Sequence, residues 1–409
     1  MKKKICFVAE YMLCGGTEKS LLSLLPLLDR NKYDITLLLM KKKGDLLTEL
    51  PEDIKVHEIP LPKELEEELL NSRKNALIQA FKKGEIIQVI KKLVAGFRMV
   101  ISTNSDVGRR LWYYKSIKNK IQEYPEMFDV VIDYMGYGLF NSYYAAEKIK
   151  GKVKISWVHF EPKICMADFG DFKEVLQKFQ YIMCVSKETQ RNMLELIPEL
   201  ADRYRVFYNI VNEEELKKKS DLREIKKDRD VFSIVSIGRL DHQKGFDLGI
   251  EVIERLCKEG YAIRWYIIGE GNQRAELEQK ISETVYAKES IVLLGQQLNP
   301  YPYLKMCDIY FQPSRHEGYG IAVAEARAFC KPIVSTNFAG AQEQLINNET
   351  GIITECTIES MYRGVKLLLD NYNDFQHRFS KNLAAQKGID KNQVCLLEQI
   401  FERKRLNLG

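Results

Sequence analysis

At 409 residues, with 45% hydrophobic and 29% charged residues and a net charge of +5, the chain exceeds what one ordinary core supports and is too weakly basic to point to nucleic acid. Two domains of roughly 200 residues each are the expectation. Nine cysteines form no CxxC pair and sit mostly in apolar runs such as YIMCVS, so they read as reduced core residues of a cytoplasmic protein. The apolar run after MKKK stops at Glu10, short for a signal peptide, and no stretch reaches the roughly 18 to 20 residues that cross a membrane.

In chain order, short β-branched runs alternate with amphipathic stretches. Strands are predicted at Lys4–Ala9, Ile35–Met40, Val130–Tyr134, Val153–Val158, Tyr181–Val185 and Arg205–Asn209, with a helix over Glu18–Leu28. This βαβ rhythm predicts a parallel sheet covered by helices. It pauses at the almost wholly charged EEELKKKSDLREIKKDRD, residues 213–230, read as an interdomain linker. It resumes with strands at Val231–Ile237, Ala262–Ile268, Ile291–Leu293, Ile309–Gln312 and Ile333–Ser335. The fold class is therefore α/β: two Rossmann-like, doubly wound domains facing a cleft, with ligands at the carboxyl ends of the strands. The division is 1–212, 213–385 and a last segment, 386–409, that returns to the first domain.

Within the first domain, residues 73–120 carry a surplus of ten positive charges interleaved with apolar and aromatic residues. An anionic membrane surface or a lipid-linked phosphate is one candidate contact, a solvated helical face over a core the other. Nucleic acid is a weaker option, because no binding module is recognisable.

Four elements that end strands carry the candidate chemistry. After the first strand, Gly15-Gly16-Thr17-Glu18 opens a helix and offers N–H groups to an anion. After Val153–Val158 comes His159, placed to hydrogen-bond a substrate hydroxyl or phosphate, or to serve structure alone. GRLDHQKG, residues 238–245, projects Arg239 and Lys244, a fork and a point charge suited to a diphosphate. Gly269-Glu270-Gly271 follows the next strand; with Arg274 where a dinucleotide fingerprint needs glycine, it reads as a nucleotide-base contact or a turn.

The richest stretch is SRHEGYGIAVAEARAFC, residues 314–330. Glu317 and Glu325 flank Gly318, Tyr319, Gly320 and Ile321, where a helix begins. The helix start attracts a phosphate, and the carboxylates are suited to accept hydroxyls from a sugar or a ribose. Taken alone, the stretch also fits a loop before a core helix with solvated glutamates. Asp228-Arg229-Asp230 spells DxD but stands in the charged linker, away from the strand ends, and no metal is expected.

GGTE, GRLDHQKG, GEG and PSRHEGYGIAVAEARAFCKPIVSTNFAGAQE, in that order, closely resemble family 4 of the retaining glycosyltransferases, of two-domain GT-B architecture. The resemblance is strong over residues 231–355 and weak over the first domain. It implies sugar transfer from a nucleotide diphosphate donor, such as a UDP-sugar, with retained configuration and without a metal or other cofactor. In that resemblance Arg239 and Lys244 neutralise the diphosphate, Glu317 holds donor-sugar hydroxyls and Glu325 the ribose. The N–H groups of Gly318, Tyr319 and Gly320 meet sugar and phosphate, Gly16 approaches the diphosphate from the other domain, and His159 lies near the donor sugar. Tyr319 replaces the family's phenylalanine, and the family's second Gly-Gly loop appears as Phe338-Ala339-Gly340-Ala341, with Glu343 keeping the acidic position.

The implied mechanism closes the cleft on the donor. The acceptor hydroxyl then attacks on the face the diphosphate leaves, with a phosphate oxygen as base; Glu317 as nucleophile is the less favoured variant. The expected acceptor is a glycan or lipid-linked sugar in cell-surface polysaccharide assembly at the cytoplasmic membrane face. A non-catalytic binding partner of the same fold and a nucleotide-sugar epimerase are the competing readings.

Overall fold

Branched and aromatic residues in the first half pair as β1 (Lys3–Ala9), β2 (Tyr33–Leu39), β3 (Lys55–Glu58), β4 (Met127–Asp133), β5 (Lys150–Val158), β6 (Tyr181–Cys184) and β7 (Tyr204–Val206). All are parallel, in the order β3-β2-β1-β4-β5-β6-β7. The second half repeats the plan with β8 (Phe232–Ile237), β9 (Ile263–Ile268), β10 (Ile291–Gly295), β11 (Ile309–Gln312), β12 (Ile333–Thr336) and β13 (Ile352–Thr354), ordered β10-β9-β8-β11-β12-β13. The computed structural model describes residues 1–70, 105–136, 140–386 and 389–402. Helices cover both faces, so the central strands read as continuous apolar runs rather than alternating ones. β3 and β13 escape the sequence reading because KVHE and IIT are too short and too mixed to show a period.

Strand order reverses between β1 and β4 and again between β8 and β11, where Ile5 faces Val130 and Ile234 faces Ile309. Neighbouring loops diverge at such points and leave a crevice at the carboxyl ends of the strands. The sequence segments singled out above, at residues 15–18, 238–245 and 314–330, follow β1, β8 and β11 respectively.

Helix Phe246–Lys258 illustrates how the layers lock. Phe246, Ile250, Ile253 and Leu256 recur at helical spacing and are buried, and Phe246 lies against Trp265 of β9, whose ring in turn meets Phe311 of β11. Between the sheets the apolar interior is continuous, with Leu21 and Leu24, Leu216, Tyr301, Tyr319 and Ala322 in one cluster.

The charged segment 213–230 differs from the linker expected. Its first part is a helix, Glu213–Ser220, capped by Asn212, whose Oδ1 accepts the Glu215 N–H at 3.2 Å. Leu216 and Ser220 are buried. Three glutamates in the first turn and three lysines in the last complement the helix dipole, so a run that looks like solvated linker is an ordered element. Within it, Asp228 and Asp230 are exposed, and Asp228 Oδ1 accepts the Asp230 N–H at 3.1 Å.

The last described helix, Ile389–Phe401, lies against the first sheet. Lys3 Nζ donates to the Phe401 carbonyl at 2.9 Å and pairs with Glu402 at 2.8 Å, and the Phe401 ring meets Tyr33 edge-on with centroids 5.4 Å apart. Because Phe401 is 2% exposed, Phe401→Ala should cost about 3 kcal/mol or more through lost burial and the cavity left behind. Urea unfolding would show this as a lower midpoint.

Much of the basic segment 73–120, namely 73–104, lies outside the described residues. The part described is helix Asp106–Ser116, capped by Ser105, whose Oγ accepts the Gly108 N–H at 2.8 Å. Lys115 pairs with Glu174 of the neighbouring helix. No helix among the described residues is long and apolar enough to cross a membrane.

Candidate active site

Gly320 makes the site's central turn possible. Its φ of +81° sits in the left-handed region and starts helix Ile321–Ala328. The first N–H groups of that helix have no partner within it. Before the turn, Gly318 meets the first domain: a Cβ there would lie 2.5 Å from the His159 carbonyl oxygen. Gly16 faces the start of the same helix, where a Cβ would come within 2.9 Å of Ile321 Cγ2. Two loops of the first domain and the glycine loop of the second therefore meet at one place.

The two glutamates are held differently. Glu317 Oε1 accepts from Ser314 Oγ at 2.7 Å and Gln312 Nε2 at 3.0 Å, and pairs with Lys244 Nζ at 2.9 Å. All three contacts fall on one oxygen, leaving Oε2 for a ligand. The Lys244 and Glu317 side chains are only 15% and 10% exposed, so this pair is shielded from the screening that weakens surface ion pairs. A carboxylate pinned at one oxygen by three donors suits a grip on hydroxyls better than travel to an anomeric carbon.

Glu325 is 2% exposed. Its Oε1 accepts from Tyr301 Oη at 2.9 Å and lies 3.7 Å from Lys19 Nζ of the first domain, while Oε2 is buried without a hydrogen-bond partner. Lys19 also stands 5.4 Å from the centre of the Tyr301 ring. A buried carboxylate oxygen without a donor is costly. A ligand hydroxyl would relieve that cost.

Arg239 departs from the expectation that it joins Lys244 at a diphosphate. Its side chain is 69% exposed and bonded to Asp241, two residues along the same loop, whereas Lys244 turns inward to Glu317. Bringing the two cations together requires Arg239 to leave Asp241, a rotation its exposure permits.

Gly269-Glu270-Gly271 buttresses that loop. A Cβ on Gly269 would collide with the Gly238 carbonyl at 1.9 Å, and the Glu270 carbonyl accepts the Leu240 N–H at 2.9 Å. The Glu270 carboxylate lies on Arg274. The motif's visible work is thus to hold the Arg239 loop against the sheet, with the Glu270 side chain engaged by the first residue of the helix that follows, Arg274–Glu283.

His159 follows β5, its ring tilted 52° against Tyr134 with ring centres 4.9 Å apart; neither ring nitrogen has a well-formed hydrogen bond. Burial pushes the imidazole down to about 4, so it is neutral at pH 7 and offers one donor and one acceptor. Its folded value lies below the ordinary one near 6.5, so its share of stability is complete above about pH 6.5 and is lost as pH falls through 4, roughly 3 kcal/mol in all. His159→Gln, neutral at every pH, should flatten the fall in melting temperature between pH 6.5 and 4.5 that the parent shows in calorimetry.

Several participants carry little sequence signal. Gln312 stands two residues before the recognised stretch and Ser314 opens it, and only the Ser314-to-Glu317 spacing of three, a frequent capping distance, points to their contact. Lys19 stands one helical turn after Gly16, so the 3.6-residue period places it on the same side of its helix. Tyr301 opens a separate helix, Tyr301–Met306, and is not legible beforehand.

Together these groups form a surface at the switch points of two parallel sheets that combines one inward cation, one exposed cation, a helix start and two carboxylates with oxygens available. It suits a ligand with both phosphate and vicinal hydroxyl groups. Among the described residues no group of three or more metal-ligating side chains stands together.

Residues 217–386 match the family model described as glycosyl transferases group 1. Among curated proteins, the chain is 28% identical over 239 residues, 55% of its length and 63% of the relative, to an N-acetylgalactosamine-N,N'-diacetylbacillosaminyl-diphospho-undecaprenol 4-alpha-N-acetylgalactosaminyltransferase of Campylobacter jejuni. It is 29% identical over 130 residues, 31% of its length and 33% of the relative, to the capsular polysaccharide biosynthesis glycosyltransferase CapM of Staphylococcus aureus. The chain thus spans less than two thirds of the length of these relatives. Among solved structures, Anabaena HepE in complex with UDP and glucose superposes with a TM-score of 0.68 at 14% identity, covering 98% of this chain and 99% of that one. S. aureus TarM, in complex with Fondaparinux, alpha-GlcNAc-glycerol and UDP, gives 0.69 at 13% identity and covers 98% and 99%. The two-sheet architecture is the GT-B fold.

Proposed function

From the match of residues 217–386 to the glycosyl transferases group 1 model, we propose that the protein transfers a hexose or N-acetylhexosamine from a nucleotide diphosphate sugar, UDP-linked, to a glycan or lipid-linked acceptor, with retention of configuration. One observation carries the reading. Glu325 keeps a buried carboxylate oxygen unpartnered while its other oxygen is tied to Tyr301, across a helix start from the Lys244–Glu317 pair. That is a hydroxyl acceptor and a phosphate partner at the spacing of one short helix.

In this reading Lys244 and, after leaving Asp241, Arg239 take up charge on the departing diphosphate. Glu317 Oε2 accepts donor-sugar hydroxyls, Glu325 Oε2 accepts a ribose hydroxyl, and the N–H groups around Gly318 to Ile321 meet sugar and phosphate. Gly16 brings the first domain's helix start to the same diphosphate. Neutral His159 hydrogen-bonds the donor sugar through a ring nitrogen. The proton of the acceptor hydroxyl passes to a phosphate oxygen on the face the leaving group vacates. Work on a lipid-linked acceptor at the cytoplasmic membrane face extends the same proposal.

The names of the similar proteins support the direction: a diphospho-undecaprenol-linked acceptor in one, capsular polysaccharide in another, UDP in the HepE and TarM complexes. The test is a melting-temperature screen over UDP, GDP and ADP sugars, followed by turnover. A UDP-sugar should raise the melting temperature and release UDP only when an acceptor glycan is supplied. Binding without transfer to any acceptor would indicate a non-catalytic partner, and interconversion of the free UDP-sugar an epimerase.

A further inference from the structure

The short helix Ala339–Gln344 carries two adjacent residues that face different domains. Gln344 Nε2 donates to the Tyr319 carbonyl, inside the glycine loop, and Gly340 packs so tightly on Tyr319 that a Cβ would fall 2.1 Å from that same oxygen. The helix is therefore bonded to the loop that is read as meeting the donor. Glu343, one residue earlier, reaches the other way. Its Oε2 accepts the Lys187 N–H at 2.9 Å and its Oε1 the Glu188 N–H at 3.0 Å, both at the start of helix Lys187–Leu196 in the first domain. That helix already has its own cap, Ser186 Oγ accepting the Thr189 N–H at 2.9 Å, so Glu343 satisfies the two further N–H groups that an ordinary N-cap leaves open. A carboxylate there is also favoured by the helix dipole.

A third bond closes the arrangement. Tyr208, just after β7, donates its hydroxyl to Glu343 Oε2 at 2.9 Å, and its ring lies 6.0 Å from the Tyr319 ring. Its backbone N–H donates to Gln393 of the returning helix at 3.0 Å. Burial, and then the hydrogen bond to Glu343, push the Tyr208 phenol up, so it stays protonated and remains a donor. Every donor to Glu343 given above belongs to the first domain, and every contact of its neighbour Gln344 given above belongs to the glycine loop.

We propose that Glu343 is a positioning residue for the reaction: it latches the second domain onto the Lys187–Leu196 helix start and Tyr208, and through Gln344 and Tyr319 it sets the glycine loop in register with the first domain. The inference rests on the transferase reading for its effect on turnover, but not for its effect on domain closure. Most groups assigned to the donor, Lys244, Arg239, Glu317 and Glu325, stand in the second domain, so donor binding depends less on the latch than chemistry does. Chemistry needs both domains aligned, and a displacement of about 1 Å at a reacting centre is enough to cost roughly a hundredfold in rate.

The test compares Glu343→Ala and Tyr208→Phe with Ser186→Ala, which weakens the same helix start without touching the latch. Two quantities are measured on the full chain: the radius of gyration by solution X-ray scattering with and without UDP, and kcat and KM for UDP-sugar. Glu343→Ala should enlarge the ligand-free radius and lower kcat by roughly tenfold or more, while UDP binding in titration calorimetry changes by less than about threefold. Tyr208→Phe should do the same more weakly, and Ser186→Ala should lower only the melting temperature. An unchanged radius together with unchanged kcat in Glu343→Ala overturns the latch, as does equal loss in Ser186→Ala. If the parent chain transfers no sugar at all, the transferase reading fails, and the scattering comparison still decides the latch.

Discussion

Lys244→Ala is expected to lower kcat/KM for the nucleotide sugar by roughly a hundred- to a thousandfold, as removal of a preorganised charge at a departing group does elsewhere. Two effects add. The leaving diphosphate loses the inward cation, and Glu317, 10% exposed, keeps a buried charge with only Ser314 and Gln312 as donors. The second effect predicts a fall in thermal stability alongside the loss of turnover, because stripping one partner from a buried pair leaves the other uncompensated. Lys244→Arg should recover little, since a planar fork does not replace a compact ammonium in that space. Arg239→Ala, by contrast, should cost turnover with almost no stability, because its pairing with Asp241 is on the surface. Initial-rate kinetics and calorimetry on the three variants separate these outcomes.

Gly318→Ala is the second large effect. The new Cβ would sit 2.5 Å from the His159 carbonyl oxygen and 3.0 Å from its carbon, distances that backbone atoms cannot relax without moving the domains apart. Nothing in the second domain is altered otherwise, so UDP affinity should stay within a few-fold while kcat falls by roughly a hundredfold. That split distinguishes obstructed closure from lost binding. It also separates Gly318 from Glu325, whose replacement by Gln should raise KM for the donor before it touches kcat, as loss of a uniformly used ribose contact does.

Much of the fold is legible in the sequence because parallel strands buried on both faces must be apolar throughout, and runs such as ICFVA and FSIVSI admit little else. The edge strands β3 and β13 lack that signal: Lys55 and Glu58 face outward, and three residues show no period. Helix Glu213–Ser220 is concealed by its own charges, which complement the helix dipole rather than mark a solvated linker. At the site, the residue types near strand ends suit phosphate and hydroxyl chemistry, and Lys244 pairs with Glu317 while Glu325 lies on the helix that follows. Pairings across the cleft are another matter. Lys19 with Glu325, Tyr208 with Tyr319 and Glu343 with the Lys187–Leu196 helix join segments separated by more than a hundred residues, and no local pattern encodes them. Nor does sequence reveal that Arg239 rests on Asp241, a choice among exposed rotamers.

Glu343 gives the cross-domain contacts a shared sense. Lys19 reaches Glu325 on one flank of the glycine loop, and Glu343 reaches the Lys187–Leu196 helix from the helix bonded to that loop. A nucleotide placed between them would be held by groups from both domains.

A crystal structure of the protein with UDP is the most direct measurement. It should place a ribose hydroxyl within hydrogen-bond distance of Glu325 Oε2 and the diphosphate against Lys244, with Arg239 swung away from Asp241 onto a phosphate oxygen. UDP bound elsewhere, or bound here with Glu325 Oε2 still without a donor, would contradict the assignment of this cleft as a nucleotide-sugar site.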